Sequence, residues 1–99
     1  MTYNLYAWGS NHEVDTEKKS YWENGNLAIT LFEPHEGPYA TLTVNLSKKL
    51  PKNQAYVDTN NCYWAEDFIK KNGLGKPLGE YGVSGWCRYP LYEFDLDKI

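Results

Sequence analysis

Only one stretch of this chain carries the marks of a helix, and that restriction narrows the fold class before anything else does. Asp58, Thr59, Asn60 and Asn61 are four consecutive side chains able to cap a helix start. Trp64, Ala65, Phe68 and Ile69 then fall on one apolar stripe. Glu66 with Lys70 and Asp67 with Lys71 are acid-first pairs one turn apart, with acids early and bases late as the helix dipole favours. Asn72-Gly73 supplies a left-handed stop. The spacing predicts a helix over about Cys62 to Asn72, with Asn61 as its N-cap.

Most of the remaining chain reads in strand rhythm. Tyr3 to Trp8, Leu27 to Phe32, Tyr39 to Leu46, Ala55 to Asp58 and Trp86 to Leu96 are the expected strands. Tyr39 to Leu46 is the cleanest: Ala40, Leu42, Val44 and Leu46 should be buried, and Tyr39, Thr41, Thr43 and Asn45 wet. Asn24-Gly25 marks a turn before Leu27. Pro90 cannot donate to a ladder, so it implies a bulge or an edge in the last strand. His12 to Ser20 is polar apart from Val14 and reads as a surface loop. So does Gly73 to Gly85, where five glycines and Pro77 crowd together. With 99 residues there is room for one core. The expectation is a single α+β domain over residues 1–99. It comprises an antiparallel sheet of four to six strands packed against one main helix, about residues 62–72, whose stripe faces Leu31, Leu42 and Val44.

Several function classes are disfavoured. The longest apolar run is too short to span a membrane, and the start lacks the basic and apolar regions of a signal peptide, so a cytoplasmic protein without membrane contact is expected. The formal net charge of −3 argues against a general nucleic-acid binder. Lys48, Lys49 and Lys52 form the one compact basic cluster, read as a solvated turn. Cys62 and Cys87 lack a CxxC pair, and His12 and His35 lack ligand spacing, so reduced thiols, no metal and no cofactor are expected. Gly75-Lys76-Pro77 departs from a phosphate-binding loop, which needs Ser or Thr after the Lys. No catalytic residue is assigned and the chain is read as a non-enzyme. A small enzyme with its carboxylate at Asp58 is the third reading, although capping explains an Asp before Thr-Asn-Asn.

The strongest departure in composition is aromatic: nine Tyr, four Trp and three Phe. So small a core cannot hide them all, and Tyr, Trp and Arg dominate protein-interface hot spots. Stacking on single-stranded bases would use the same residues but requires a cationic groove, which Arg88 and scattered lysines do not supply. Protein is therefore the expected partner, through Tyr81, Trp86, Arg88 and Tyr89. Glu93, Asp95 and Asp97 add an acidic row, with successive members roughly 6.5 to 7 Å apart on a strand face. That spacing is close to the phosphate repeat, so a nucleic-acid-binding or DNA-mimic module is the alternative. Glu13, Asp15 and Glu17 repeat the rhythm. Exposed strands leave a homodimer open.

Ala55-Tyr56-Val57-Asp58-Thr59-Asn60-Asn61, the helix with Trp64 and Phe68-Ile69, Asn72-Gly73-Leu74, Ser84-Gly85 and Tyr89-Pro90-Leu91-Tyr92-Glu93-Phe94-Asp95 together resemble an uncharacterised family of small proteins. Thr43-Val44-Asn45-Leu46 adds to the likeness weakly. The family, a domain of unknown function, occurs on phages and conjugative elements of Gram-positive bacteria, and it carries no catalytic or binding residue over to this chain. The resemblance implies an accessory protein of a mobile element that binds a host protein, such as a CRISPR or restriction effector, and inhibits it.

Overall fold

The computed structural model describes residues 2–99. Four strands, β1 (Thr2–Ala7), β2 (Ser10–Ser20), β3 (Leu27–Glu33) and β4 (Gly37–Thr41), form an antiparallel meander in the order β1-β2-β3-β4. A second antiparallel sheet holds β5 (Thr43–Val44), β6 (Gln54–Val57), β7 (Gly75–Ser84) and β8 (Cys87–Phe94) in the order β5-β6-β8-β7. One short helix, α1 (Ala65–Asn72), joins β6 to β7. The chain is α+β as expected, but it has two sheets rather than one, and sheet dominates.

Two segments expected to be loops are strands. In β2, Val14 is fully buried while Glu13 and Glu17 point outward. The segment reads as a loop because the alternate residues that face inward, His12 and Thr16, are themselves polar. In β7, Gly75 and Gly82 serve close approach rather than flexibility. A Cβ on Gly75 would meet the Glu93 carbonyl oxygen at 2.6 Å, and one on Gly82 would meet Leu46 at 2.4 Å and the Tyr56 ring at 2.7 Å. Gly79 has φ +79° in an irregularity between Pro77 and Tyr81, where β7 shifts register on β8. Pro90 pairs with Tyr81 at the end of that shift, so the expected bulge lies on the partner strand.

Tyr39 to Leu46 does not run as one strand. It breaks at Leu42, and β4 and β5 lie in different sheets. Leu42 donates its N–H to Ile29 O at 2.9 Å and accepts the Asp58 N–H at 2.9 Å, so one residue belongs to both ladders. Thr43, expected on a wet face, is buried, and its Oγ1 accepts the Ile29 N–H at 3.2 Å and lies 2.9 Å from the Tyr21 hydroxyl. The Asn24-Gly25 turn is present between β2 and β3, with Gly25 at φ +74° and its N–H on Tyr21 O.

The helix begins three residues later than Cys62. Asp58, rather than Asn61, makes the capping bonds: its carboxylate accepts the Asn61 N–H at 3.2 Å and the Asn61 side-chain amide at 2.9 Å. Residues 58–62 therefore close a turn of their own, with Cys62 N–H on Asp58 O, and Trp64 is an N-cap without a side-chain bond. The stop at Gly73 is left-handed as expected. Ala65, Phe68 and Ile69 bury their stripe in the main core with Trp64, Leu31 and Leu42. Val44, expected there, faces the other side of its sheet, where Leu50, Tyr56, Tyr89 and Leu91 make a second, smaller core. Asp67 and Lys71 pair at 3.1 Å, whereas Glu66 accepts the Tyr92 hydroxyl at 2.7 Å.

Thr43→Val keeps the shape and removes the oxygen that receives the Ile29 N–H. It should lower the unfolding free energy by about 1–3 kcal/mol, the cost of a buried donor left unpaired. Thr41→Val, at an exposed position, should change it little. Urea unfolding of both variants checks the contrast.

Candidate functional site

Beyond Pro77 the strands β7 and β8 continue as a ribbon to a tight turn at Gly85-Trp86. Gly82, lacking a side chain, lets the ribbon lie against Tyr56 and Leu46. Its inward face carries Tyr89 and Cys87 onto the second core. Strand alternation then sends Tyr81, Val83 and Arg88 to the opposite face, with Val83 directly across from Arg88. Tyr81 and Val83 are exposed, the Arg88 guanidinium lies 4.2 Å from the centre of the Tyr81 ring, and Trp86 is wholly exposed at the turn. Three of the four expected aromatic and arginine contacts, Tyr81, Trp86 and Arg88, are thus brought together. Tyr89 is not: one residue of strand parity places it in the core.

The acidic row does not form. The strand ends at Phe94, so Asp95 and Asp97 lie in the terminal turn, where Asp95 Oδ1 accepts the Asp97 N–H at 3.0 Å. Glu93 stays on β8, 3.7 Å from Lys76 Nζ. Asp58 is buried with both oxygens bonded to Asn61, which is the capping arrangement and not a carboxylate facing a cavity.

Sequence reasoning missed a second aromatic grouping. Trp8, in the left-handed region at φ +55°, and Gly9 turn β1 into β2. The Trp8 N–H bonds the Tyr63 hydroxyl at 2.9 Å, and the two rings meet edge-on at 4.8 Å. Beside them Trp8, His12, Tyr39, Cys62 and Trp64 line a shallow recess of about 400 Å³. His12 Nδ1 lies 3.2 Å from a Glu33 oxygen, and its ring is 4.8 Å from that of Tyr39. The Tyr39 hydroxyl is buried without a hydrogen-bond partner among the described residues, and burial, then the Glu33 carboxylate, raises its pKa. The positive φ at Trp8 was the feature invisible in the sequence.

Among the described residues no group of three His, Cys, Asp or Glu is placed to hold a metal ion. No helix among them is long and apolar enough to cross a membrane. Both cysteines are free thiols, Cys62 buried and Cys87 half-buried. Burial, reinforced by the Asp58 carboxylate, pushes the Cys62 thiol up to about 11 from an ordinary value of 9.0, which removes the thiolate a nucleophile needs.

A family model described as Domain of unknown function (DUF4313) matches residues 16–99. The chain belongs to that family, and the match extends well upstream of Ala55, where the stronger sequence likeness begins. No curated protein and no solved structure shows a significant match.

The raised Cys62 pKa fixes a pH dependence. In the unfolded chain the thiol ionises near 9.0 and in the native state near 11, so above about pH 9 the native state holds the more protons. Its contribution to stability is intact below pH 9 and is lost as pH rises toward 11. Cys62→Ala should flatten that part of the stability profile, measured by urea unfolding from pH 8 to 11. At pH 8 a thiol reagent should modify Cys87 in the native protein and reach Cys62 only on unfolding.

Proposed function

We propose that this DUF4313 protein is a non-enzymatic binding module that recognises another protein through the exposed face of the β7–β8 ribbon. The observation that carries the reading is the strip of Tyr81, Val83 and Arg88 on one face of a ribbon whose other face is packed down, with Trp86 wholly exposed at its turn. An exposed Trp at a turn, next to an Arg stacked on a Tyr, combines the three residue types most enriched at interface hot spots. The Arg88–Tyr81 stack holds both side chains in place, so less rotamer freedom is lost on binding. Asp58 engaged in capping and Cys62 held as a thiol favour binding over catalysis. In this reading the partner is a host protein, and the accessory role on a mobile element, with inhibition of a CRISPR or restriction effector, follows from the family resemblance. With Asp95 and Asp97 in a terminal turn, the row that supported DNA mimicry has lost its strand geometry.

The test is affinity capture from lysate of the source cells with the wild type, with Trp86→Ala plus Arg88→Ala, and with Tyr6→Ala. Tyr6 is an exposed aromatic on β1, outside the ribbon. Proteins bound through the ribbon should be lost from the double variant and kept by Tyr6→Ala, at moderate as well as low salt. For a purified partner the double variant should bind at least about 30-fold more weakly, the effect of one hot spot worth about 2 kcal/mol. Identical capture by all three proteins would overturn the assignment.

A further inference from the structure

Net charge argues against a nucleic-acid ligand, yet the fold gathers lysines that the sequence keeps apart. Lys18 and Lys19 from the end of β2, and Lys49 and Lys52 from the segment before β6, line one groove of about 590 Å³. Leu50 and Leu96 contribute apolar floor. Little of this charge is neutralised. Lys18 Nζ donates to Leu96 O at 2.7 Å and Lys49 Nζ to Asn24 O at 2.6 Å, bonds to neutral carbonyls that position an ammonium without cancelling it. Among the described residues only Lys19 of the four has a carboxylate close by, Glu17 at 3.2 Å, and that pair is more than half exposed.

The groove is built rather than a chance gathering of long side chains. Asn26, 4 % exposed and at the end of the β2–β3 loop, bonds to the facing segment on either side of Lys49: its amide donates to Lys48 O at 2.8 Å and its oxygen accepts the Leu50 N–H at 2.9 Å. Asn24 reinforces the contact with bonds to Asn45 Oδ1 and Leu46 O. The backbone that carries Lys49 is thereby fixed against the β2–β3 loop. Ser20 and Gly25 line the groove, and Trp22, which lies between them in the sequence, is 94 % exposed.

We infer that this groove binds single-stranded nucleic acid, with the lysines on the phosphates and an unpaired base stacked on Trp22. Lysines lining one groove are complementary to a chain of phosphates, and a fully exposed ring is complementary to the face of a base free of its duplex partner. An acidic peptide would satisfy the lysines and leave the ring without a role. The site shares no residue with the ribbon strip, so it stands or falls apart from the proposed protein contact.

The test uses the whole protein and a short fluorescein-labelled oligothymidine, followed by anisotropy and by tryptophan fluorescence. The wild type should bind at low salt with quenching of tryptophan emission. The affinity should fall with salt at a log–log slope of about −2, as expected for about three phosphate contacts on a single strand. Lys49→Glu plus Lys52→Glu should weaken binding more than tenfold. Trp22→Ala should weaken it about tenfold and abolish the quenching, consistent with one stacked base. All of these positions are exposed, so thermal midpoints should hold. Trp86→Ala plus Arg88→Ala should bind the oligonucleotide as the wild type does, which separates this site from the ribbon. Absence of binding at low salt, binding unchanged by the lysine reversals, or a polyglutamate competitor that displaces the oligonucleotide as well as unlabelled oligothymidine does would overturn the inference.

Discussion

The two main-chain bonds at Leu42 hold the rest of the molecule in relation. An antiparallel partner of Ile29 would ordinarily exchange both hydrogen bonds with it. Leu42 gives its N–H to Ile29 O but turns its own oxygen to the Asp58 N–H at the end of β6. The Ile29 N–H is left without its natural acceptor, in a fully buried position where an unpaired donor is costly. The Thr43 hydroxyl takes that place. A single residue therefore passes the chain from one sheet to the other, and a side chain repairs the ladder at the break. The Leu42 side chain, wholly buried, fills the junction.

Because the sheets are joined there, the inner face of the first meets the helix and one face of the second in a single core. The other face of the second sheet must be covered by something else, and the β7–β8 ribbon does it. Gly82 decides how closely. With no Cβ it lets the ribbon lie on Tyr56 and Leu46, and Tyr89 closes the small core beneath. Burying one face of a two-stranded ribbon commits the alternate residues to solvent. The exposure of Tyr81, Val83 and Arg88 is thus a consequence of the same packing that buries Tyr89, not a separate feature of composition.

What was legible in the sequence follows from where the governing interactions are local. The Asn24-Gly25 turn, the Gly73 stop, the apolar stripe of Phe68 and Ile69 and the β6 strand each depend on neighbouring residues, and each is where the pattern places it. The break at Leu42 was not legible, since Ala40, Leu42 and Val44 alternate as one strand would and only Ile29 and Asp58, remote in sequence, divide them. β2 was hidden by its polar inward positions, and β7 by glycines whose use is contact with Glu93, Leu46 and Tyr56. At the candidate surface the residue types were readable and the parity was not. Tyr81 and Arg88 share a face, while Tyr89, adjacent to Arg88, takes the other.

Charge shows the same division between a sum and an arrangement. A formal charge of −3 governs the field felt far from the molecule, but at physiological salt that field decays over about 8 Å. The molecule extends 34 × 25 × 21 Å, several times that length. The potential in a groove is then set by the groups that line it, and carboxylates elsewhere on the surface are largely screened from it. Lys18 and Lys19 stand among acids in the sequence, with Glu13, Asp15 and Glu17 just before them. The β2 strand carries them past Glu13 and Asp15 to the end of the sheet, with Glu17 still paired to Lys19, and sets them beside Lys49 and Lys52, where the Asn26 bonds fix the loop that faces them. An acidic chain can in this way present a basic site, because a strand moves charge by about 3.4 Å per residue and about three residues span more than one screening length.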